Sequence, residues 1–191
     1  MSSSDPSRRP AAHGAPRARP FQRLLRFMAE RRVLSDARML EFYPPFLWMR
    51  IKVLQLDDGW RHVRIRLPLN AISRNPGGVM FGGYQAALAD PIAALACARV
   101  FPEYSAWTRA MTVEFEHGGT SDLELRFDFD PAQEARIRAE LERDGRATPA
   151  FDYGFYLRDG SRCTRIVNTV AIRPRGYVRA TTPPAPERGL S

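Results

Sequence analysis

Alternating apolar and polar residues are the most regular feature of this chain. The alternation places apolar side chains on one face of each segment and charged or polar side chains on the other, which is typical of strands with one buried face. Short turn sequences such as "DDG", "HGGTSD" and "RDGS" separate consecutive segments, so the pattern favours antiparallel pairing. The predicted strands are 49–53, 63–69, 111–115, 123–129, 151–157 and 166–172.

One long segment between the second and third strands has a different pattern. "GGYQAALADPIAALACARV" (82–100) is apolar on every side, and Asp90 is the only charged residue between Gly82 and Arg99. A helix that is apolar all round is a buried helix. It is the element that would cover the apolar face of the sheet, so the sequence predicts an α+β layer in which an antiparallel six-stranded sheet wraps a long central helix.

A second helix is predicted over 131–144, with an exposed polar face. Asp130 is its expected N-cap, Pro131 its first residue and Gln133 the partner in a capping box, while Gly145 ends it. This helix is predicted to lie on the surface between the fourth and fifth strands.

The segments before and after the strands are predicted to be tails and short helices. The first residues are rich in Ser, Pro and Arg without an apolar period, which predicts a disordered tail. A docking helix is expected over 21–32 and a short helix over 35–42, and "FYPPFL" (42–47) is expected to stop any helix. The predicted divisions are a disordered tail 1–20, a helical segment 21–42, the main domain 43–173 and a second disordered tail 174–191.

Asp90 and Pro91 raise a structural question, because a carboxylate and a helix breaker stand in the most apolar stretch of the chain. In one interpretation the helix begins at Pro91 and Asp90 is its N-cap. In the other the helix runs through from Gly82, Pro91 frees the Ala87 carbonyl and bends the axis, and Asp90 lies in apolar surroundings about 10 Å from the glycine pair. Isolating a carboxylate there is costly unless it finds partners.

The charge distribution narrows the range of partners. The net charge is +8, but residues 1–32 hold eight arginines against two acids and residues 173–191 hold four against one, which leaves the domain near neutral. A nucleic-acid or anionic-surface binder would need clustered cations on a folded face or a long basic arm, so no specific nucleic acid is expected. No apolar run is long enough for a membrane span. Two cysteines indicate a reducing, cytoplasmic location, and no residue cluster has metal-ligand spacing.

Several motifs resemble the hotdog-fold superfamily. "GGYQAALAD" (82–90) is similar to a signature of acyl-CoA thioesterases of the phenylacetate-pathway type, and the wider chain resembles the DUF4442 family over roughly 43–173. The resemblance implies a hotdog fold, in which a sheet wraps one long helix. The motifs that carry it are "YPPFL" (43–47), "VRIRLPLN" (63–70), "RNPGGVMFGG" (74–83), "ADP" (89–91) and "YSAWTRAMTVEF" (104–115).

The same resemblance implies a hydrolase of acyl-CoA or related acyl thioesters. Asp90 would act as general base or nucleophile, and the amides of Gly82 and Gly83 would polarise the thioester carbonyl. The site would lie across a subunit interface in a homodimer or homotetramer. No cofactor is expected, because water is the second substrate. The candidate substrate-binding residues are Asn75, Phe81, Gly82, Gly83 and Arg109.

Two departures from the family pattern support an alternative function. Phe81 and Met80 stand where related sequences carry a histidine, so the chain is alternatively a hotdog protein that binds a fatty-acyl ligand or a partner without catalysis. Arg109, in "WTRAM", is placed to contact a phosphate or carboxylate, or is a solvated arginine at a strand end. His62 and His117 are expected at a strand end and a turn rather than in catalysis.

Overall fold

The computed structural model describes residues 35–57 and 59–177. Six strands form one antiparallel sheet in the order β1-β2-β4-β5-β6-β3. The predictions for 1–20 and 21–32, and the tail after 177, lie outside the described residues. The strands are β1 (Lys52–Leu56), β2 (His62–Leu67), β3 (Tyr104–Phe115), β4 (Leu123–Asp128), β5 (Ala150–Tyr156) and β6 (Arg162–Pro174), and the helices are α1 (Asp36–Phe42), α2 (Pro44–Met49), α3 (Gly82–Ala89), α4 (Ile92–Val100) and α5 (Pro131–Asp144).

The core lies between one face of the sheet and the consecutive helices α3 and α4. Alternate residues of the central strands are fully buried, and they meet the buried residues of α4 in one apolar cluster. The α+β architecture predicted from the alternation is therefore confirmed. Among the described residues no helix is both long and apolar enough to cross a membrane. Typical members of the cluster are Ile65, Leu125, Phe155, Ile166, Leu88, Ile92 and Cys97.

The segment before β1 differs from the prediction. A helix does end at Phe42, but "PPFLWM" then forms α2 instead of continuing as an extended chain, so the expected halt at 42–47 is wrong. Prolines are tolerated in the first turn of a helix because the N–H groups there have no intrahelical partner. Arg50, at φ 56°, closes α2 in a left-handed conformation, so the first strand begins at Lys52 rather than at 49.

The surface helix α5 forms as predicted at both ends. The Asp130 side chain accepts hydrogen bonds from the amides of Ala132 (3.0 Å) and Gln133 (3.3 Å), and Gly145 ends the helix at φ 64°. The predicted capping box is wrong in one respect. The Gln133 side chain donates to the Ala150 carbonyl at 2.7 Å, so it fastens the helix to β5.

The edge strand β3 is longer than the predicted 111–115, with 12 residues from Tyr104 onward. It pairs with β6 on one side only, and its register shifts between Thr108 and Ala110. The shift makes Arg109 the extra residue of a β-bulge, a feature that redirects side chains. A long strand edge thus remains open next to the helices.

Candidate functional site

The helix runs through the Asp90–Pro91 pair with a local break. Asp90 (φ −43°, ψ −53°) and Pro91 (φ −82°, ψ −15°) both keep a helical backbone, and α4 begins immediately afterwards at Ile92. The Asp90 amide still donates to the Ala86 carbonyl at 3.0 Å, so Asp90 closes α3. No side chain caps α4, which makes the interpretation of Asp90 as an N-cap wrong.

Side chains from three strands bind the backbone at this break. The Ala89 carbonyl accepts a hydrogen bond from the Tyr153 hydroxyl at 2.8 Å. The Asp90 carbonyl accepts two, from the Thr108 hydroxyl at 2.6 Å and from Asn168 Nδ2 at 3.0 Å. The break is therefore held in place by β3, β5 and β6 together.

Asn168 is the centre of this arrangement. It is fully buried, and its Nδ2 also donates to the Tyr153 hydroxyl at 3.1 Å. Its Oδ1 has no hydrogen-bond partner among the described residues, and a buried acceptor of this kind calls for a water or another polar group. Burial raises the pKa of Tyr153, so this hydroxyl remains a neutral donor. In the sequence, the signal for this role of Asn168 was an Asn at an inward-facing position of an otherwise apolar strand.

The Asp90 carboxylate itself is exposed, which corrects the expectation that it lies buried in the core. Gly83 and Ala87 are exposed as well, and their spacing places them on the same side of the helix as Asp90. The sheet of the same chain covers the opposite side. We call Gly83, Ala87 and Asp90 the open helix stripe.

The helix start presents unpaired backbone donors. The amides of Gly82 and Gly83 donate to no acceptor among the described residues, and Phe81 provides no side-chain cap. Two aromatic rings explain why glycines stand here. A Cβ on Gly82 would lie 2.6 Å from the Phe115 ring, and a Cβ on Gly83 would meet the Phe81 ring.

Asn75 and Phe81 lie in and at the end of the loop before α3. Asn75 Oδ1 accepts from the Val79 amide at 3.2 Å, and the two residues also pair through their backbones, so the Asn75 oxygen shapes the loop. Phe81 is 50% exposed and packs edge-on against Tyr84 at 5.7 Å between ring centroids.

Arg109 does not join the other candidates. Thr108 and Met111 face the helices, through the Asp90 carbonyl and Asn168 respectively, and the bulge between them directs Arg109 to the outer face of the sheet. There it borders a cavity together with Arg146 and Arg173. The predicted contact between Arg109 and the ligand of the Asp90 site is therefore not supported by its position within one chain.

The remaining polar candidates have structural roles. His62 Nδ1 lies 2.8 Å from Asp128 at the start of β2, and His117 is exposed in a turn. Both cysteines are buried and unpaired, and burial raises the pKa of the Cys97 thiol to about 12. Within the described residues, no three His, Cys, Asp or Glu side chains gather as they would around a metal ion.

Comparison with known families agrees with this architecture. The model of a domain of unknown function, DUF4442, matches residues 31–172. The chain belongs to the DUF4442 family. No curated protein matches it in sequence.

Solved structures show that this DUF4442 chain has the hotdog fold. A Pseudomonas aeruginosa protein of unknown function, described as a "probable thioesterase", aligns with TM-score 0.62 at 17% identity over 80% of this chain and 95% of its own. A Chlorobaculum tepidum protein of unknown function aligns with TM-score 0.59 at 14% identity, covering 81% and 96%. A thioesterase from Haemophilus influenzae aligns with TM-score 0.56 at 12% identity, covering 74% and 92%. At these identities the likeness concerns the fold.

Proposed function

We propose that this protein is a hydrolase of acyl thioesters, such as acyl-CoA, in which Asp90 is the catalytic carboxylate. The observation that carries the proposal is the combination, on one helix, of two unpaired amides at Gly82 and Gly83 and an exposed carboxylate at Asp90. Unpaired amides at a helix start stabilise a developing negative charge, and a carboxylate can activate water. The thioesterase names of its structural neighbours agree with this chemistry.

The two halves of the site must come from different copies of the chain. Gly83 and Asp90 are seven residues apart on a helix, which corresponds to about 10 Å along its axis. Groups that act on one carbonyl must each approach it to about 3 Å. A second copy packed against the open helix stripe and the free edge of β3 would bring its amides to Asp90, so we propose a homodimer as the smallest active unit.

In this dimer the reaction needs only water and the thioester. Asp90 takes a proton from a water molecule whose oxygen attacks the carbonyl carbon, and the amides of Gly82 and Gly83 hold the resulting oxyanion. The tetrahedral intermediate then collapses, the carbon–sulfur bond breaks and the thiolate leaves with the proton. Alternatively, Asp90 attacks the carbonyl directly, and water hydrolyses the resulting anhydride. Neither route requires a cofactor.

A second candidate function is binding of an acyl ligand without catalysis. Met80 and Phe81 stand where a histidine is expected in related sequences, and the Phe81 and Phe115 rings lie directly against the glycine pair. An apolar helix start of this kind suits a fatty-acyl chain. This alternative predicts a lipid that co-purifies with the protein and no turnover of any thioester.

The buried cysteines and the near-neutral charge of the domain bear on its location and partners. We propose a cytoplasmic, reducing environment, because Cys97 and Cys163 are both buried and unpaired. The near-neutral domain supports a small acyl thioester as the partner rather than a nucleic acid. A membrane surface is not required to explain any described contact.

The test is hydrolysis of a panel of acyl-CoA thioesters by the wild type, Asp90→Asn and Glu103→Gln. The Asn variant keeps size and polarity but lacks a base, so we expect kcat to fall by about 10²–10⁴. Glu103 is an exposed acid outside the helix, and its variant should retain full activity. An Asp90→Asn protein as fast as the wild type would rule out this mechanism.

A further inference from the structure

A cavity lies on the outer face of the sheet, which is the face turned away from α3 and α4. It has a volume of about 780 Å³, within the range of small-molecule sites. Its floor is formed by β3 and β6, and the end of α5 with the segment that follows forms one wall. The polar residues that line it are Arg109, Arg146, Arg173, Thr148, Glu140 and Asp144.

Arg173 borders this cavity and has no carboxylate partner among the described residues. Its Nη1 donates to the carbonyls of Ala147 (2.6 Å) and Ile172 (2.7 Å), and its Nη2 donates to the Thr148 hydroxyl at 3.1 Å. None of these acceptors carries a formal charge. The guanidinium is therefore held in place while no carboxylate of the described residues neutralises its positive charge.

Arg109 and Arg146 add two more positive charges to the same cavity. Neither forms an ion pair or a side-chain hydrogen bond with another described residue. The β-bulge lets Thr108 and Met111 both face the helices while Arg109, between them, faces outward. Without the extra residue, Arg109 would lie on the same face as Met111.

The nearby acids offset these charges only in part. Asp144 pairs with Arg143 at 2.8 Å, and Arg143 and Arg146 together lower its pKa. Glu140 is the other carboxylate that lines the cavity, and it forms no ion pair with a described residue. Elsewhere on the outer face of β6 the arginines are neutralised locally: Arg165 pairs with Asp152 at 2.6 Å and Arg162 with Glu116 at 2.7 Å. The cavity is thus a local concentration of positive charge on an otherwise balanced face.

We propose that this cavity binds the phosphate groups of a small phosphorylated molecule. Guanidinium groups recognise phosphate through paired, charge-assisted hydrogen bonds, and three arginines border this cavity. The cavity has more room than inorganic phosphate requires, so it also admits a phosphate that is attached to an organic group. Phosphate binding at this cavity does not depend on the hydrolase proposal, because its residues lie on the opposite face of the sheet, whereas the CoA source named next rests on that proposal and needs the Asp90 of a second copy.

Two sources supply such a group. One is the phosphorylated end of a CoA thioester whose acyl part lies at Asp90. The other is a free phosphorylated metabolite that binds without being a substrate. The two faces of the sheet meet in consecutive residues of β3. Thr108 donates to the Asp90 carbonyl on the helix side, and Arg109, the next residue, borders the cavity on the outer side.

The primary experiment is calorimetric titration of the full-length protein with CoA and with inorganic pyrophosphate at constant ionic strength. We expect saturable binding by the wild type and a rise in Kd of about tenfold or more in Arg109→Gln/Arg146→Gln, since each lost charge-assisted contact is worth about that factor. Arg136→Gln is the matched control, because Arg136 is exposed on α5 and does not line the cavity. Its Kd should equal that of the wild type.

Absence of saturable binding to either compound would overturn the proposal, as would an equal loss of affinity in Arg136→Gln.

Two substrates then distinguish the two sources of the phosphate group. If the phosphate belongs to the thioester, the double variant raises KM for an acyl-CoA but not for the matching acyl-N-acetylcysteamine, which lacks phosphates. If a free metabolite is the occupant, both KM values stay unchanged while binding is still lost. The binding assay needs no turnover, so its result stands even if the protein hydrolyses nothing.

Discussion

At the Asp90–Pro91 break, one buried amide side chain holds much of the local geometry. Asn168 connects the Asp90 carbonyl to the Tyr153 hydroxyl, and Tyr153 in turn binds the Ala89 carbonyl. The lone acid in an apolar stretch could be identified from the sequence. Its exposure could not, because that depends on which side of the helix the sheet covers.

Replacing Asn168 tests this local role. We expect Asn168→Leu to lower the free energy of unfolding by about 2–3 kcal/mol, because it leaves the buried Tyr153 hydroxyl and the Asp90 carbonyl with fewer partners. Urea denaturation measures the loss. Thr169→Val, one residue further on the outward side of β6, is the control and should change stability by less than about 0.5 kcal/mol.

The glycine pair admits a second test at the residue scale. A Cβ on Gly82 would lie 2.6 Å from the end of the exposed Phe115 ring, so Gly82→Ala should displace this ring and lower stability by no more than about 1 kcal/mol. In a Phe115→Leu background the same change should cost less, and a double-mutant cycle measures this coupling. Purely additive effects would show that the ring does not require the glycine.

At the scale of elements, an ion pair attaches α5 to the start of β2. Glu134 forms two hydrogen bonds with Arg61, at 2.8 and 2.9 Å, just before β2. The six strands and α5 were predictable, because alternation and capping residues are local signals. Helix α2 was not, since a Pro-Pro pair both ends one helix and begins another.

The Arg61–Glu134 pair predicts a pH dependence of stability. Its hydrogen bonds with Arg61 lower the pKa of Glu134 from its ordinary value of 4.5. A depressed acid contributes stability above its unfolded pKa and loses it as the pH falls through the folded pKa. We therefore expect unfolding free energy to decline below pH 4.5, and less steeply in Glu134→Gln.

Glu142→Gln serves as the comparison on the same helix, because Glu142 is exposed and forms no ion pair with a described residue. At neutral pH the Glu134 substitution should cost no more than about 1 kcal/mol, since the pair is partly solvated. Identical acid-unfolding curves for Glu134→Gln and the wild type would contradict the assignment.

At the scale of the whole molecule, the described part of one chain leaves two neighbouring surfaces without a partner, besides the β1 edge of the sheet. The edge of β3 and the open helix stripe lie beside each other, and both are suited to a second copy. The outer cavity was not predictable, because its arginines are far apart in sequence and only the bulge and the strand register bring them together.

These surfaces predict a dimer or a larger oligomer in solution. Analytical ultracentrifugation of the wild type should give a mass of at least two chains. Ala87→Glu places a charge in the middle of the open helix stripe and should shift the protein toward a monomer without unfolding it. Ala132→Glu, an exposed alanine on α5, should leave the mass unchanged.

Complementation between two inactive variants tests the central claim most directly. Asp90→Asn removes the carboxylate, and Gly83→Leu, once ultracentrifugation shows that it still dimerises, covers the amides at the helix start. If the site combines Asp90 of one copy with the amides of the other, a refolded equimolar mixture should recover about a quarter of the wild-type rate, because half of the dimers are mixed and each has one intact site. A mixture as inactive as its two components would contradict the shared site.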